Sequence, residues 1–197
     1  MGGLGGCFVG GVRNLRPYRI TREVRTSIAV GCFGMALPES ALLLAGFVLA
    51  HSAWSISDAP ELLVPLAMIE RNSKREVLRF ESPTQEEAIA KGKTHLADLK
   101  DVDSWAFARE GLLNENGKKV DVISVDIWSR GSNERITLIQ RFEPFSVRKH
   151  FRLIGEPDVS VDGVIQDKAH SQKVLETVRK GVAQHSKVAP LWDTWKR

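Results

Sequence analysis

Two short segments of this sequence place large aromatic side chains beside charged and polar ones at alternating positions. The first runs through Trp105 and Arg109, and the second runs through Ser124, Asp126 and Trp128. In an extended strand every second side chain points to the same face, so each segment can present these groups together. Small-molecule sites combine apolar walls with a few convergent polar groups. The two segments therefore indicate a candidate ligand-binding surface.

A two-residue turn predicts how these segments pair. Asn116 and Gly117 can adopt the positive φ angles of a tight hairpin turn, and residues 105–113 and 120–128 on either side have the composition of strands. Counting back from the turn places six side chains on one face, which we name the aromatic-polar face: Trp105, Phe107, Arg109, Ser124, Asp126 and Trp128. The opposite face receives small and branched side chains suited to packing under helices: Ala106, Ala108, Leu112, Ile123, Val125, Ile127 and Ile139.

A third strand, residues 136–142, is predicted to follow and complete an antiparallel meander. A symmetric pairing across the intervening loop adds Ile136, Leu138 and Gln140 to the aromatic-polar face. We therefore predict a ligand-binding set on that face: Trp105, Arg109, Ser124, Asp126, Trp128 and Gln140.

The same pattern has a plainer explanation. Antiparallel sheets commonly have one face on the core and one face in water. Polar side chains at these positions then mark the solvated face, with Arg109 and Asp126 forming a diagonal cross-strand ion pair. Because such sheets are common, this is the default interpretation.

The sequence contains none of the strong catalytic motifs, whether a P-loop, a dinucleotide fingerprint, HExxH, GxSxG or paired CxxC. The only cysteines, Cys7 and Cys32, lie in the first 60 residues, and the five histidines show no metal-ligand spacing. We expect no metal and no cofactor. An enzyme assembled from distant residues stays open, with Asp126 or Glu110 as general base and His150 as acid.

Charge argues against a nucleic-acid partner. The chain carries a net charge of +4, of which +2 falls in the first 60 residues, where five arginines face three acidic residues. The remaining +2 does not provide the continuous basic face that nucleic acids require. The one basic cluster, Arg148, Lys149 and His150, could meet a phosphate or an anionic surface, although such runs usually form solvated loops.

The first 60 residues have the composition of a leader. A glycine-rich start is followed by spaced arginines and then by an almost continuous apolar stretch, residues 27–54, which is the order found in export signals. Cleavage after Ser52 would leave Ala53 as the new N-terminus. A retained membrane anchor is the second interpretation, because about 20 apolar residues span a bilayer. A buried N-terminal helix of a cytoplasmic protein is the third.

Residues 61–197 are predicted to form one α+β domain, with an antiparallel sheet in the order ββαβββ…α and two main helices on one face. The first two strands flank a polar turn, and Pro65 makes the first an edge candidate. Ser82 and Gln85 suggest a capping box for the first helix, which extends to about residue 100. The last helix is expected to begin near Asp167, and the two tail tryptophans are expected to dock on the domain.

These observations favour a non-catalytic binding or interaction protein that uses the aromatic-polar face for a small molecule or for self-association. The alternative is a small hydrolase- or lyase-like enzyme with Asp126 and Arg109 in a sheet-face pocket. A membrane contact is expected only through the leader, and the protein is expected to be exported or anchored, with a cytoplasmic location as the alternative.

Overall fold

The computed structural model describes residues 37–196, which form helices and strands around one extended sheet. The predicted leader up to residue 36, with both cysteines, lies outside the described residues. The elements follow one another along the chain: α1 (Glu39–Ile56), β1 (Leu66–Arg71), β2 (Lys74–Arg79), α2 (Gln85–Asp98), β3 (Ser104–Glu115), β4 (Lys118–Ser129), β5 (Ile136–Glu143), β6 (Arg152–Val161), β7 (Val164–Ile165), α3 (Lys168–Ala183) and α4 (Trp192–Trp195).

The seven strands form one antiparallel sheet in the order β2-β1-β3-β4-β5-β6-β7. Because every pair is antiparallel, short turns suffice to connect most neighbours. The predicted fold class, α+β with an antiparallel sheet and two main helices packed against it, is confirmed. The suggestion that Pro65 marks an edge strand is wrong, since β1 lies between β2 and β3 and Pro65 precedes its first residue.

Tight turns with positive φ angles set the hairpins that the sequence predicts. Asn116 and Gly117 have φ angles of 51° and 82° between β3 and β4, while Asp162 and Gly163 have 48° and 84° between β6 and β7. Asparagine, aspartate and glycine tolerate this left-handed region better than other residues do. The turn residues therefore determine where these strands reverse.

Helices α1 and α3 cover one face of the sheet, and α2 lies over part of the other. The α1–α3 side buries the small and branched residues of β3 and β4, including Ala106, Ala108, Val125 and Ile127. On the opposite side, Leu96 of α2 joins a separate apolar cluster. The sequence had suggested that the two helices α2 and α3 share one face of the sheet. In the structure they lie on opposite faces, and α1 is the neighbour of α3.

The apolar stretch predicted as a leader supplies this central helix. Residues 37–56 belong to the same buried core as the sheet, so the division of the chain at residue 60 is not seen in the packing. Pro38 and Glu39, which interrupt the apolar run in the sequence, mark the start of α1. α1 is the helix among the described residues that is long and apolar enough to cross a membrane, and 61% of its residues are buried inside the domain.

Two glycines allow α1 and α3 to cross in backbone contact. A Cβ atom built on Gly46 would lie 2.1 Å from the carbonyl oxygen of Val178, and one on Gly181 would lie 2.2 Å from the carbonyl oxygen of Leu43. Both distances are far below contact between atoms, and both obstacles are backbone. The crossing therefore requires glycine on both helices.

The predicted register of the third meander strand is wrong by one residue. Ile136 pairs with Ile127 and Leu138 pairs with Val125, so these side chains face α1 and α3. The loop before β5 is not symmetric, because Arg135 exchanges hydrogen bonds with Asp162 instead of extending the pairing with β4. A one-residue shift exchanges the faces completely.

The ends of the two longer downstream helices follow local capping chemistry. Thr84 caps α2 by accepting a hydrogen bond from the amide of Glu87, so α2 begins two residues later than the predicted capping box at Ser82. Asp167 caps α3 as predicted, accepting from the amide of His170. 

The C-terminal tryptophans dock on the domain, as expected. Trp192 is buried in the main core, and Trp195 packs edge-on against Phe151 with ring centroids 5.3 Å apart. Tryptophan contributes a large apolar surface when buried, so α4 closes the end of the sheet near the start of β6.

A histidine pair joins the C-terminal half of α1 to the end of α3. His51 Nδ1 lies 3.2 Å from His185 Nε2, and the rings of Phe47 and Trp54 pack around them. Burial lowers the pKa of both imidazoles. The positive groups nearby, including Lys187, lower them further. The fold therefore favours the neutral form of both rings.

The glycine crossing predicts the effect of adding a single methyl group. Gly46→Ala should lower the free energy of unfolding by about 2 kcal/mol or more, because the two helix backbones must separate. Gly111→Ala is the matched control: a Cβ there meets nothing within 4 Å, so its change should stay within about 0.5 kcal/mol. Urea denaturation followed by circular dichroism measures both. Equal stability of the two variants would contradict the packing of α1 against α3.

The histidine pair predicts a loss of stability in mild acid. Below the ordinary histidine pKa of 6.5 the unfolded chain takes up protons that the folded chain resists, so stability is full above that pH and falls as the pH decreases. His185→Gln should make the fall in melting temperature between neutral pH and mild acid shallower, because it removes one of the two imidazoles that the fold keeps neutral. An identical pH profile for wild type and His185→Gln would refute this linkage.

Candidate functional site

The aromatic-polar face is assembled in the register that the Asn116-Gly117 turn predicts. Trp105 pairs with Trp128, and Arg109 pairs with Ser124 across the β3–β4 ladder. The alternation of the strands therefore brings five of the six predicted site residues to one face: Trp105, Arg109, Ser124, Asp126 and Trp128. Local turn chemistry is sufficient to position them, because it fixes every later pair in the ladder.

The polar centre of this face is an ion pair between Arg109 and Asp126. Both guanidinium NH groups of Arg109 donate to the Asp126 carboxylate, and the second of these bonds measures 3.2 Å. Thr137 on β5 donates its hydroxyl to Oδ1 of Asp126 at 2.9 Å. The Arg109 side chain is 9% exposed and that of Asp126 is 26% exposed. Arg109 is thus a buried support, and the accessible group is the carboxylate.

Thr137 was missed by sequence reasoning because the predicted register of β5 turned it away from this face. The signal was present in the sequence: Ile136, Leu138 and Phe142 form the more apolar side of β5, and all three are buried in the main core. Assigning that side to the helices would have placed Thr137 beside Asp126.

The aromatic part of the face is a pair of tryptophans next to this ion pair. The rings of Trp105 and Trp128 are nearly parallel, with an interplanar angle of 13° and centroids 6.1 Å apart. Both side chains are half-buried and pack against the α2-side cluster, in which Phe107 is fully buried. One part of each indole ring is therefore fixed by packing against this cluster, while the other part stays accessible to solvent.

Gln140 lies on the opposite face of the sheet from the other five predicted site residues. It pairs with Ile123 on the side of α1 and α3, and it is fully buried. Its amide nitrogen donates to the carbonyl oxygens of Arg141 and Ile154 at 2.9 and 3.2 Å, where β5 and β6 shift register. Gln140 thus satisfies backbone groups at an irregularity of the ladder, which is a structural role.

A second arginine network lies farther along the same face. Arg141 donates to Glu115 through Nε at 2.9 Å and to Asp158 through NH2 at 2.8 Å. Burial acts to lower the pKa of Arg141, but the hydrogen bonds to the two carboxylates outweigh it and raise that pKa. In the two networks each arginine of this face is held by at least one carboxylate.

The residues of the enzyme hypothesis are not brought together. Glu110 lies on the α1–α3 side, where its carboxylate accepts a hydrogen bond from the amide of Leu63 at 2.9 Å. His150 lies in the β5–β6 loop, at the other end of the sheet from Trp128. Within residues 37–196 no group of three or more histidine, cysteine or acidic side chains could hold a metal ion.

Two clefts bounded by described residues lie away from the tryptophan pair. One, of about 360 Å³, is formed by the β5–β6 loop and α4. The other, of about 380 Å³, lies between β6 and the start of α3. Neither includes any of the six residues predicted for the ligand site.

The ion pair predicts a cost in stability at this face. Arg109→Ala removes the partner of a partly buried carboxylate and should lower the free energy of unfolding by about 2–3 kcal/mol, below the full cost for a deeply buried pair because Asp126 retains some contact with water. Replacing both partners, as Arg109→Met with Asp126→Leu, should recover part of that loss. Arg179→Ala, which loses an exposed contact of 3.3 Å with Glu156, is the control and should change little. Chemical denaturation measures the free energy of unfolding of each variant. If the loss in the double variant equals the sum of the losses in the two single variants, the two residues are not coupled and the prediction is wrong.

Comparison of the chain with protein-family models, with curated proteins and with solved structures finds no match. The residues and their geometry are therefore the basis for any assignment of function.

Proposed function

We propose that this chain is a non-catalytic binding protein whose ligand surface is the aromatic-polar face at the Trp105–Trp128 end of the sheet. The ligand is a small molecule with a planar or aromatic group and an adjacent hydrogen-bond donor. The planar group contacts the tryptophans, and the donor reaches the carboxylate of Asp126.

The observation that carries this proposal is the tryptophan pair. Two half-buried indoles with nearly parallel rings form a rigid apolar patch, and their position is fixed by the hairpin register and by packing on the α2 side. Tryptophan is enriched at binding surfaces because it offers a large contact area with few rotatable bonds. Two partly exposed indoles side by side form an apolar surface patch, and such patches often mark interaction sites.

Asp126 supplies the polar component. It lies two residues before Trp128 on the same strand, so the two side chains are neighbours on the face. Arg109 and Thr137 fix the orientation of its carboxylate while leaving part of it exposed. A carboxylate oxygen has more than one acceptor position, so Asp126 can accept a further hydrogen bond from a ligand.

A binding role accounts for this arrangement better than catalysis does. Proton transfer needs an acid and a base that both reach the reacting atoms. Here Asp126 is engaged by Arg109 and Thr137, and the other candidate groups, Glu110 and His150, lie on another face and at another end of the sheet. The small-enzyme alternative would require a different set of residues.

The proposal predicts binding that depends on one indole ring. A screen by saturation-transfer NMR should compare small aromatic compounds bearing hydroxyl, amine or amide donors with aliphatic compounds of equal size. The aromatic set should give the binders, and Trp128→Leu should weaken them about threefold to tenfold, since an aromatic contact contributes about 0.5–1.5 kcal/mol.

Trp54→Leu is the matched control, because Trp54 is also half-buried but lies on α1 beside Lys187. It should leave the affinities unchanged. Sedimentation analysis of the same variants tests the competing use of the face in self-association. If Trp128→Leu abolishes a dimer and no compound binds the wild type, the small-molecule proposal is wrong.

A further inference from the structure

We propose that the cleft between the β5–β6 loop and α4 is a binding site for a phosphate group, carried by a lipid headgroup or by a small phosphorylated molecule. This site is independent of the tryptophan pair. It lies at the opposite end of the sheet, because β4 begins at Lys118 near the β5–β6 loop and reaches Trp128 only after 10 further residues, or roughly 33 Å.

The cleft combines an aromatic floor with cationic walls. Phe151 and Trp195 pack against each other and form the apolar part, while Lys149, His150 and Arg152 supply the basic groups. Glu143 and Thr194 complete the lining, and the carboxylate of Glu143 is paired with Arg152. Its volume of about 360 Å³ lies at the lower end of the range for small-molecule sites. A phosphate group offers several strong acceptor oxygens, which suits donors converging from several sides.

The loop that carries these cations is ordered by its own hydrogen bonds. Ser146 and Lys149 exchange two backbone hydrogen bonds of 2.9 and 3.2 Å, so Val147 and Arg148 form the tip of a tight turn. Arg152, at the start of β6, is held by Glu143 at 2.9 Å. Because the turn is already ordered in the free protein, Arg148 and Lys149 are held next to each other and the loop loses little conformational entropy when a ligand binds.

Apart from the pair of Arg152 and Glu143, this end of the sheet carries an excess of positive charge. Four exposed cations cluster on the two neighbouring hairpin ends, and none of them has a carboxylate partner among the described residues: Lys118, Lys119, Arg148 and Lys149. This differs from the aromatic-polar face, where both buried arginines are paired with carboxylates. Clustered cations raise the local concentration of anions and hold them in a cleft that accepts them.

An exposed valine favours a lipid as the source of the phosphate. Val147 at the tip of the turn is fully exposed, and it is followed directly by the three basic residues 148–150. An apolar tip flanked by cations can enter the headgroup region of an anionic bilayer while the cations contact phosphate. A soluble phosphate ester would use the cleft and leave Val147 in water.

The test uses the full chain with two probes. Cosedimentation with phosphatidylcholine vesicles, with and without phosphatidic acid, measures the lipid source, and calorimetric titration with glycerol phosphate measures the soluble one. At least one probe should bind at low salt and weaken as salt is added. Lys149→Glu should reduce that binding about tenfold, because it replaces an attraction to phosphate by a repulsion.

Lys74→Glu is the matched control, since it makes the same charge change at an exposed position on the β1–β2 hairpin at the other end of the sheet. It should keep wild-type binding. Val147→Ser separates the sources: weaker binding of this variant to the vesicles identifies a lipid headgroup, whereas binding of glycerol phosphate by the wild type and the variant alike, without binding to the vesicles, identifies a soluble ester. Binding of neither probe, or an equal effect of Lys149→Glu and Lys74→Glu, overturns the proposal.

Discussion

The contact between α1 and α3 at Gly46 and Gly181 is the constraint on which the rest of this structure depends. Because neither residue has a Cβ atom, the two helix backbones touch, and the pair lies on one face of the sheet, with α1 against β3 and β4 and α3 against β6. That layer covers the face bearing the small residues Ala106 and Ala108. The opposite face is thereby left to carry the aromatic and charged side chains.

This division of the sheet places the two proposed sites. The aromatic-polar face can hold Arg109 and Asp126 as a fixed pair only because α1 already provides the main apolar core on the other side. The basic loop at residues 146–150 lies beyond the strands, where α4 docks against Phe151. One site is therefore a surface of neutralised charges around two indoles, and the other is a rim of unneutralised cations, so they suit ligands of different chemistry.

The small size of the described domain accounts for the packing of so apolar a helix against the sheet. A single sheet of seven strands needs one fully covered face to bury enough apolar surface for stability. Helix α3 alone has one apolar stripe, of which Val174, Val178 and Val182 are buried. α1, apolar on all sides, packs against that stripe with one side and against β3 and β4 with another.

The sequence by itself determined the hairpins and the alternation of β3 and β4. Asn116 and Gly117 set a turn by local backbone preference, and every pair in the ladder follows from it, which is why five of the six proposed site residues share a face. The N-cap at Asp167 followed from equally local chemistry.

Only the tertiary structure decided where the apolar segment lies and how β5 pairs. An apolar composition does not specify what a segment packs against, so the sequence of residues 37–56 fits a signal, an anchor or a core helix. The contact of Gly46 with α3 at Gly181 is visible only in the tertiary structure. The position of Gln140 likewise depended on a hydrogen-bond exchange between Arg135 and Asp162, residues far apart in the chain. A contact between residues far apart in the chain leaves no local signal at either residue, and the apolar alternation of Ile136, Leu138 and Phe142 indicates only which face of β5 is buried, not which residue of β4 each one pairs with.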